Sequence, residues 1–299
     1  MHRTSRIHII LFQCLAFSTP ALGQLDSARA RIDAIATRAQ GTVGVGVIDL
    51  GSGDTLTVRG NVRFPMQSVY KFPLALAVLH QVDEGTMALS QLVHIPETDL
   101  RPDTWSPLRA AYPSGNVALP LDSLLRYTVA QSDNNGCDIL FRLLGGTDVV
   151  DHYVHKLGID SISIVATEAE MHLGWNVQYR NWSSPLAMAR LLQLFHSGGI
   201  LSDRSRDYLW EVMVSSGTGL RRIKGFLPAG TVVAHKTGSS GTNEDGLAAA
   251  TNDVGVIVLP DGRCIALAVF VSDSHAPDNE RDSVIAGIAY AIWEAYAPR

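Results

Sequence analysis

Lysine is rare in this chain of 299 residues, which holds four lysines against twenty arginines. Charge of either sign is also scarce, at 18% of residues, and this excludes an intrinsically disordered chain. Three cysteines are too few for a disulfide-rich scaffold. After the first 23 residues, no stretch approaches the ~18 consecutive apolar residues that a membrane-spanning helix needs. What remains is a compact globule with a sizeable core, since 46% of the residues are hydrophobic.

The first 23 residues have the pattern of a secretory signal peptide. Arg3 and Arg6 form a basic start, residues 7–17 are mostly apolar, and Ala21-Leu22-Gly23 is a small-x-small cleavage site. Removing this segment takes away two of 24 basic residues and no acidic ones, so 22 against 29 give a net charge of −7. Such a chain has no broad basic face for nucleic acid. We expect an exported, periplasmic monomer without a membrane span.

Few residues suggest a metal or a disulfide. Cys137 and Cys264 remain after the signal segment; they could pair, but buried free thiols are favoured because free cysteine is among the most buried residue types. His152 and His155 lie one helical turn apart, and without a third ligand they indicate a solvated helix face. The sequence therefore predicts neither a metal nor a cofactor.

The hydrophobic pattern places β-structure at both ends of the chain and helices between them. The predicted strands are 42–50, 55–59, 231–236, 251–259 and 265–272. Helical spacing marks 25–39 and 282–296 near the termini and most of 85–212. The predicted fold class is α/β of the α+β type: an antiparallel five-stranded sheet flanked by terminal helices, with an inserted all-α lobe. The predicted α/β lobe is 24–67 plus 213–299, the helical lobe is 68–212, and a cleft lies between them.

Two of the four lysines lie in short segments that contain hydroxyl groups. Ser68-Val69-Tyr70-Lys71 is the only S-x-x-K; Ser132-Asp133-Asn134 starts 64 residues later, and Lys236-Thr237-Gly238 starts 104 residues after that. Residues i and i+3 of a helix share a face, so Lys71 is expected beside the Ser68 hydroxyl at the start of an apolar, buried helix. Burial disfavours an ammonium, and a lysine without its extra proton can act as the base for a serine nucleophile.

An isolated S-x-x-K is a weak signal, more typical of a helix cap followed by a surface lysine. The ordered trio is the one found in class A β-lactamases and penicillin-binding proteins. Over nearly all of its length after residue 23, the chain resembles a class A serine β-lactamase, and Leu143-Leu144-Gly145-Gly146 also matches. The resemblance implies the β-lactamase/penicillin-binding-protein transpeptidase-like fold. It also implies hydrolysis of the β-lactam amide of penicillins and cephalosporins, which gives antibiotic resistance.

The resemblance further implies catalytic roles for five side chains, Ser68, Lys71, Ser132, Glu168 and Lys236. Ser68 attacks the β-lactam carbonyl to form an acyl-enzyme, and its proton goes to Lys71 or, through a water, to Glu168; that choice stays open. Ser132 passes a proton to the leaving nitrogen. Glu168 activates the water that hydrolyses the ester. The backbone N–H groups of Ser68 and Ser239 form the oxyanion hole.

The resemblance also implies how the substrate is held. Asn134 binds the side-chain amide, while Lys236, Thr237 and Ser239 bind the carboxylate, with added charge from Arg222. Trp105 either walls the cleft or packs in the core. The full set of predicted substrate-binding residues is Gln67, Trp105, Asn134, His172, Arg222, Thr237, Gly238 and Ser239.

The loop around Glu168 corresponds to the Ω-loop of the resemblance and departs from its usual pattern. Glu170 is a rival for the role of Glu168. His172 stands where an asparagine usually helps hold the hydrolytic water, and Ala169 stands where proline is frequent, so a cis peptide there is an open question. Asn181 and Ala166 replace the Asp and Arg whose ion pair normally braces the loop.

Together with Gln67 before the nucleophile and Ser239-Ser240 after K-T-G, these departures resemble the extended-spectrum, cephalosporin-hydrolysing branch of class A. Two other functions share the trio: a periplasmic D,D-peptidase or penicillin-binding protein, and a non-catalytic β-lactam sensor. Neither should carry a working deacylating Glu168, and so the hydrolase is favoured.

Overall fold

The computed structural model describes residues 22–298. The predicted signal peptide therefore lies, apart from its last two positions, outside the described residues. The strands in the described range are β1 (Thr42–Asp49), β2 (Thr55–Val58), β3 (Phe64–Pro65), β4 (Leu92–Ile95), β5 (Val117–Pro120), β6 (Ile162–Ser163), β7 (Trp182–Ser183), β8 (Val233–Ser239), β9 (Ala248–Val258) and β10 (Cys264–Ser274).

The same range holds α-helices and shorter 3₁₀ segments. The α-helices are α1 (Leu22–Ala36), α2 (Lys71–Asp83), α3 (Pro107–Ala111), α4 (Leu121–Ala130), α5 (Asn134–Leu144), α6 (Thr147–Lys156), α7 (Glu168–Met171), α8 (Pro185–Ser197), α9 (Asp203–Val214) and α10 (Asp278–Tyr296). The 3₁₀ segments are Thr37–Ala39, Gln67–Tyr70, Glu97–Asp99, Trp175–Arg180 and Ile223–Gly225.

The main sheet has five strands in the order β2-β1-β10-β9-β8, and every neighbouring pair is antiparallel. This confirms the predicted five-stranded antiparallel sheet. Strand β8, which carries K-T-G, forms one edge. Strand β1, the first in the sequence, pairs with β10, the last in the described residues, and so joins the two halves of the sequence.

Both faces of the sheet are buried, and the side chains of each strand point alternately to one face and to the other. On one face of β10, Leu267, Val269 and Val271 belong to a core shared with α1 and α10. On the other face, Ala268 and Phe270 belong to the larger core, which includes α2 and α8. A strand apolar on both faces reads as a continuous apolar run, which is how 265–272 appears in the sequence.

Helix α8 packs directly on the sheet, and two glycines of β1 make this possible. A Cβ on Gly46 would lie 2.4 Å from the carbonyl oxygen of Pro185, the first residue of α8. A Cβ on Gly44 would lie 2.7 Å from Pro185 Cγ, and 2.3 Å from the ring of Phe64 on β3. The contact of α8 with the sheet also brings the preceding loop, which carries Glu168, close to the sheet.

The segment 68–212, predicted to be all-α, is mainly helical but also contains the short strands β4, β5, β6 and β7. Strands of two to four residues are too short for a period-two pattern to reveal them. The division into two lobes stays a prediction.

Both cysteines in the described range are free, as predicted. Cys137 is buried, but Cys264 is only partly buried, so the prediction of burial was wrong for Cys264, which begins β10 after a turn. None of the helices between residues 22 and 298 combines the length and apolar character that a bilayer crossing requires.

Candidate active site

The segment that holds Ser68, the predicted nucleophile, lies on a tight turn, called here the nucleophile turn, and not on a regular α-helix as predicted. Residues Gln67–Tyr70 form a 3₁₀ turn, and α2 begins at Lys71. Residues i and i+3 of a 3₁₀ turn eclipse each other, so Ser68 and Lys71 still share a face. Lys71 Nζ lies 3.0 Å from Ser68 Oγ. Gln67, directly before the nucleophile, has a φ of +47°, a left-handed conformation that a non-glycine residue seldom adopts.

Lys71 is fully buried, and oxygens from three segments surround its amine. Besides Ser68, Nζ donates to the carbonyl oxygen of Ser132 at 2.9 Å and to Asn134 Oδ1 at 2.5 Å. Glu168 Oε1 lies 2.9 Å away as an ion pair. A buried ammonium is tolerated when its charge is paired and its N–H groups are satisfied, and both conditions hold here.

The S-D-N segment divides its work between the site and the fold. Ser132, with a φ of +59°, presents its carbonyl to Lys71 and its Oγ to Lys236 Nζ at 2.9 Å. Asp133 turns the other way: its carboxylate caps α5 through the N–H of Gly136 and also accepts from Leu108 N. Asn134 Nδ2 donates to Thr104 Oγ1 at 2.6 Å. The middle residue is therefore structural, and its two neighbours face the lysines.

Lys236 is the second buried lysine of the site. Burial lowers the pKa of Lys236 well below its usual range, and the charge of Lys71 acts in the same direction, whereas Asp253 and Glu168 oppose the shift. Its Nζ contacts Ser132 Oγ and the carbonyl oxygen of Thr237. Ser132 thus contacts both lysines, Lys71 through its carbonyl oxygen and Lys236 through its hydroxyl, and a hydroxyl beside an amine is suited to moving a proton.

Strand β8 approaches the nucleophile turn closely because residue 238 is glycine. A Cβ on Gly238 would lie 2.4 Å from the carbonyl oxygen of Met66. Asn252 on β9 holds the same turn, since its Nδ2 donates to the carbonyl oxygens of Pro65 at 2.8 Å and Met66 at 3.1 Å. The backbone of Ser239 is thereby brought beside the turn that carries Ser68.

Arg222 reaches the end of β8 from a different loop. Its guanidinium donates to Ser239 Oγ at 2.7 Å and to the carbonyl oxygen of Gly238 at 3.0 Å, and its Nε lies 2.8 Å from Asp282 Oδ1. Thr237 Oγ1 lies 2.8 Å from Thr218 Oγ1. Cationic and hydroxyl groups therefore lie together at the end of β8, where an anion would be stabilised.

Glu168, and not its rival Glu170, faces the lysine. Glu168 is 6% exposed and pairs with Lys71. Glu170 is exposed and closes a capping box, since its Oε2 accepts from Thr167 N at 2.8 Å. No cis peptide occurs in residues 22–298, so the Glu168–Ala169 bond is trans, which settles the question that the sequence left open.

Asp138, a residue that the sequence reasoning missed, holds the start of α7. Its two carboxylate oxygens accept from Glu168 N at 2.8 Å and Ala169 N at 2.9 Å. Burial raises the pKa of Asp138 to about 6, and the charge of Glu168 adds to the rise, while the two N–H groups and Lys71 act against it. A helical signal was available, because Asp138 follows Asn134 by four residues and shares its face of α5.

Asn181 braces the loop that carries Glu168, in place of the expected ion pair. It is fully buried, and its Oδ1 accepts from Val165 N at 2.8 Å and Ala166 N at 2.9 Å. Its Nδ2 donates to the carbonyl oxygen of Ala166 at 2.7 Å. Its own carbonyl accepts from Met66 N at 2.9 Å, next to the nucleophile turn. One neutral amide therefore ties both ends of the loop together.

Two further predicted residues lie one on the nucleophile turn and one on the loop. Gln67 Nε2 donates to Gln178 Oε1 at 2.5 Å, so the side chain is buried and joins the two segments. His172 is exposed, and its Nδ1 lies 2.7 Å from the carbonyl oxygen of Glu168. That nitrogen must carry the hydrogen, and a neutral ring then has only an acceptor at Nε2. The water-holding role of His172 stays a prediction.

Trp105 belongs to the surface. It is 64% exposed, and its Nε1 donates to the carbonyl oxygen of Gln131 at 2.9 Å, directly before Ser132. The alternative of a core tryptophan is therefore wrong. No group of three or more His, Cys, Asp or Glu side chains arranged to hold a metal occurs between residues 22 and 298.

Comparisons with known proteins find similarity to β-lactamases. A sequence model described as the β-lactamase enzyme family matches residues 27–296. The β-lactamase VEB-1 of Pseudomonas aeruginosa is 41% identical over 298 residues, which is 99% of both chains. A β-lactamase structure from Chitinophaga pinensis is 52% identical, has a TM-score of 0.88 and covers 90% of this chain and 99% of its own. The TLA-1 extended-spectrum β-lactamase structure is 47% identical, has a TM-score of 0.90 and covers 92% and 100%.

The chain belongs to the β-lactamase enzyme family. These relatives confirm the predicted fold class, and the class A resemblance is confirmed by a class A β-lactamase structure from Bacteroides cellulosilyticus, which is 36% identical, has a TM-score of 0.88 and covers 91% of this chain and 98% of its own. The chain spans at least 99% of VEB-1 and of the Chitinophaga pinensis and TLA-1 β-lactamases, so the likeness extends beyond the S-x-x-K, S-D-N and K-T-G segments.

We expect the Asn181→Ala variant of this β-lactamase to lose about 2–4 kcal/mol of unfolding free energy, because three buried backbone groups lose their partners. Urea denaturation would measure this loss, and limited proteolysis would report opening of the loop. Asn181→Asp keeps the acceptor but loses the donor to Ala166. Its unfolding free energy should therefore lie between those of wild type and Asn181→Ala.

Asn243→Ala is the matched control for Asn181→Ala. Asn243 Oδ1 also accepts two backbone N–H groups, from Asp245 and Leu247, but in an exposed turn where water can replace it. Its loss should cost less than about 1 kcal/mol. Equal losses in the two alanine variants would contradict the bracing role of Asn181.

Asp138 also predicts a pH dependence of stability. A folded-state pKa of about 6, above the ordinary value of 3.8, makes its contribution complete below about pH 4 and lost as pH rises through about 6. Relative to wild type, Asp138→Asn should therefore gain up to about 3 kcal/mol of unfolding free energy between these pH values. Urea denaturation at several pH values measures the difference in unfolding free energy between Asp138→Asn and wild type. A difference that does not change with pH would contradict the prediction.

Proposed function

We propose that this chain is a class A serine β-lactamase that hydrolyses the β-lactam amide of penicillins and cephalosporins through an acyl-enzyme on Ser68. Membership of the β-lactamase family supports the reaction. The observation that carries the mechanism is the shared lysine: Ser68 Oγ and Glu168 Oε1 lie 3.0 and 2.9 Å from the same Lys71 Nζ. The two groups are therefore within reach of one bridging water.

Acylation begins when Ser68 Oγ attacks the β-lactam carbonyl carbon. Lys71 Nζ faces four oxygens, and an ammonium has three N–H groups. If Lys71 passes one proton to Glu168, its amine gains a lone pair that takes the Ser68 proton. Glu168 thus enters acylation either directly or by setting the protonation of Lys71.

The carbonyl oxygen becomes negative as Ser68 attacks, and the backbone N–H groups of Ser68 and Ser239 stabilise it. The ring nitrogen then leaves and takes a proton from Ser132 Oγ, which Lys236 replenishes across 2.9 Å. Lys236, Thr237, Ser239 and Arg222 bind the substrate carboxylate.

Deacylation depends on Glu168. Its Oε1 lies beside Lys71 without an aligned hydrogen bond, which leaves the carboxylate able to accept from a water. This water loses its proton to Glu168 as it attacks the ester carbonyl, and Ser68 Oγ takes a proton from Lys71 Nζ as its bond to the acyl carbon breaks. A buried deacylating carboxylate disfavours the alternatives of a D,D-peptidase or a sensor, which would remain acylated.

The substrate range that we propose is extended-spectrum, with cephalosporin hydrolysis. Asn181 braces the Ω-loop without an ion pair, and the similar TLA-1 is named an extended-spectrum enzyme. We further propose that the enzyme acts in the periplasm as a monomer, after removal of residues 1–23, with no cofactor. The cleft lies between the sheet edge at β8 and the helices that carry Lys71 and Asn134.

Replacement of Glu168 by alanine should separate the two half-reactions. We expect rapid acylation by a penicillin followed by a stall, with kcat reduced at least ~10³-fold, because the general base for water is missing. Intact-protein mass spectrometry should find the drug on Ser68, and Ser68→Ala should remove all labelling.

Glu170→Gln is the matched control for Glu168→Ala, since a glutamine at this position preserves the capping box. We expect its kcat to remain within about twofold of wild type. Loss of acylation and deacylation to the same extent in Glu168→Ala would refute a dedicated role of Glu168 in water activation.

Side-by-side steady-state kinetics with a simple penicillin and an oxyimino-cephalosporin test the proposed range. We expect kcat/KM values for the two drugs within about one order of magnitude, because a hydrophobic or roomy pocket rejects an added group only weakly. Negligible turnover of the cephalosporin with normal turnover of the penicillin would contradict the extended spectrum and leave the β-lactamase assignment intact.

A further inference from the structure

A buried histidine–aspartate pair lies behind strand β8, outside the catalytic set described above. His235 and Asp253 are both fully buried. His235 Nδ1 lies 3.0 Å from Asp253 Oδ1 and 3.1 Å from Oδ2. Both neighbours of this nitrogen are carboxylate oxygens, so Nδ1 carries the hydrogen and donates it. The other ring nitrogen, Nε2, is buried and has no hydrogen-bond partner.

The pair occupies the back of the strand that forms the site. Thr237 pairs with Asp253 and His235 pairs with Gly255 across the β8–β9 ladder. Gly255 leaves room for the imidazole, because a Cβ there would lie 2.7 Å from the His235 Cβ. Side chains alternate along a strand, so His235 and Thr237 point to the face opposite Lys236. Asp253 therefore does not reach the reacting atoms.

Asp253 instead contacts the turn that follows Arg222. Its Oδ2 accepts from the backbone N–H of Ile223 at 3.1 Å. The next residue back along β9, Asn252, accepts from the Arg222 guanidinium through its carbonyl oxygen at 2.8 Å. Two consecutive residues of β9 therefore hold Arg222. The Asn252 carbonyl oxygen holds its guanidinium, and the Asp253 carboxylate holds the turn that begins after it.

We propose that His235 and Asp253 form a positioning pair for substrate recognition: the Asp253 carboxylate, oriented by His235, fixes the Ile223 turn so that Arg222 can reach Ser239. The inference rests on the proposed function, because it assigns Arg222 to the substrate carboxylate. Burial of a carboxylate costs free energy unless it is hydrogen-bonded, and here three contacts, two to one imidazole and one to a backbone N–H, satisfy it.

Other charged groups lie near the pair and offer a different route by which Asp253 would affect catalysis. Lys224, in the same turn, and Lys236, on β8, both feel the charge of Asp253. Arg222 and Asp282 lie on the elements packed against the turn. If Asp253 acted through Lys236 and not through Arg222, its removal would alter catalysis even when Arg222 is absent. A double-mutant cycle separates these two routes.

The first measurement compares Asp253→Asn with wild type by steady-state hydrolysis of a penicillin. We expect kcat/KM to fall about tenfold and kcat to stay within about twofold, because binding through Arg222 is weakened and deacylation is untouched. His235→Leu removes the donor and should give the same split. His235→Asn offers an N–H in place of Nδ1 and should restore most of the loss, and it also serves if Asp253→Asn fails to fold.

The second measurement repeats the assay in an Arg222→Ala background. We expect Asp253→Asn to cause no further loss in kcat/KM there, because its effect passes through Arg222. An undiminished tenfold loss in that background would overturn the inference, and so would a kcat/KM within about twofold of wild type in Asp253→Asn itself. A fall in kcat equal to the fall in kcat/KM would also overturn it.

Asp49→Asn is the matched control for a purely structural effect. Asp49 is buried, lies 3.4 Å from Arg263, and pairs with Ile265 at the end of the sheet away from Ser239. It should lower the melting temperature without changing kcat/KM. Absence of any β-lactam turnover by the unmodified chain would overturn the proposed function and this inference together, whereas normal turnover with an unaffected Asp253→Asn overturns the inference alone.

Discussion

The structure depends on one buried ammonium. Lys71 has no exposed surface, and a charge taken out of water is tolerated only when nearby groups neutralise it and accept its hydrogen bonds. The required oxygens come from Ser68, Ser132, Asn134 and Glu168, which lie on the nucleophile turn, the S-D-N loop and the Ω-loop. Satisfying this one side chain therefore forces three distant segments together, and the same contacts assemble the site.

The Ω-loop shows how such a site is kept in place without a second ion pair. Asn181 ties the two ends of the loop with a neutral amide, and Asp138 holds the first turn of α7 by two backbone N–H groups. A neutral brace avoids the cost of burying two further charges. The negative charge of Asp138 lies near Glu168, and the two carboxylates share the positive charge of Lys71.

The sheet edge at β8 has two faces with different tasks. Lys236 points toward the reacting groups, whereas His235 and Thr237 point to the opposite side, where Arg222 arrives. Gly238 allows close approach to the nucleophile turn, and Gly255 makes room for His235. A period-two strand thus turns the proposed catalytic group Lys236 and the proposed recognition group Thr237 to opposite faces from neighbouring positions.

The sequence by itself determined much of the fold and part of the candidate site. Apolar runs and turn signals located the five strands and the terminal helices, and the spaced S-x-x-K, S-D-N and K-T-G segments identified Ser68, Lys71, Ser132 and Lys236 as one constellation. Residues could be found in this way when their partners are near in the sequence or when they belong to a short motif.

Tertiary structure alone decided the rest. The resemblance named Glu168 and left Glu170 as a rival, and the fold then buries Glu168 beside Lys71 and gives Glu170 to a capping box. Asp138 and Asp253 looked like ordinary acids, because their partners are backbone N–H groups or a side chain at least 18 residues away. Hydrogen bonds to a backbone leave no mark on the partner's residue type, and so no pattern of letters can reveal them.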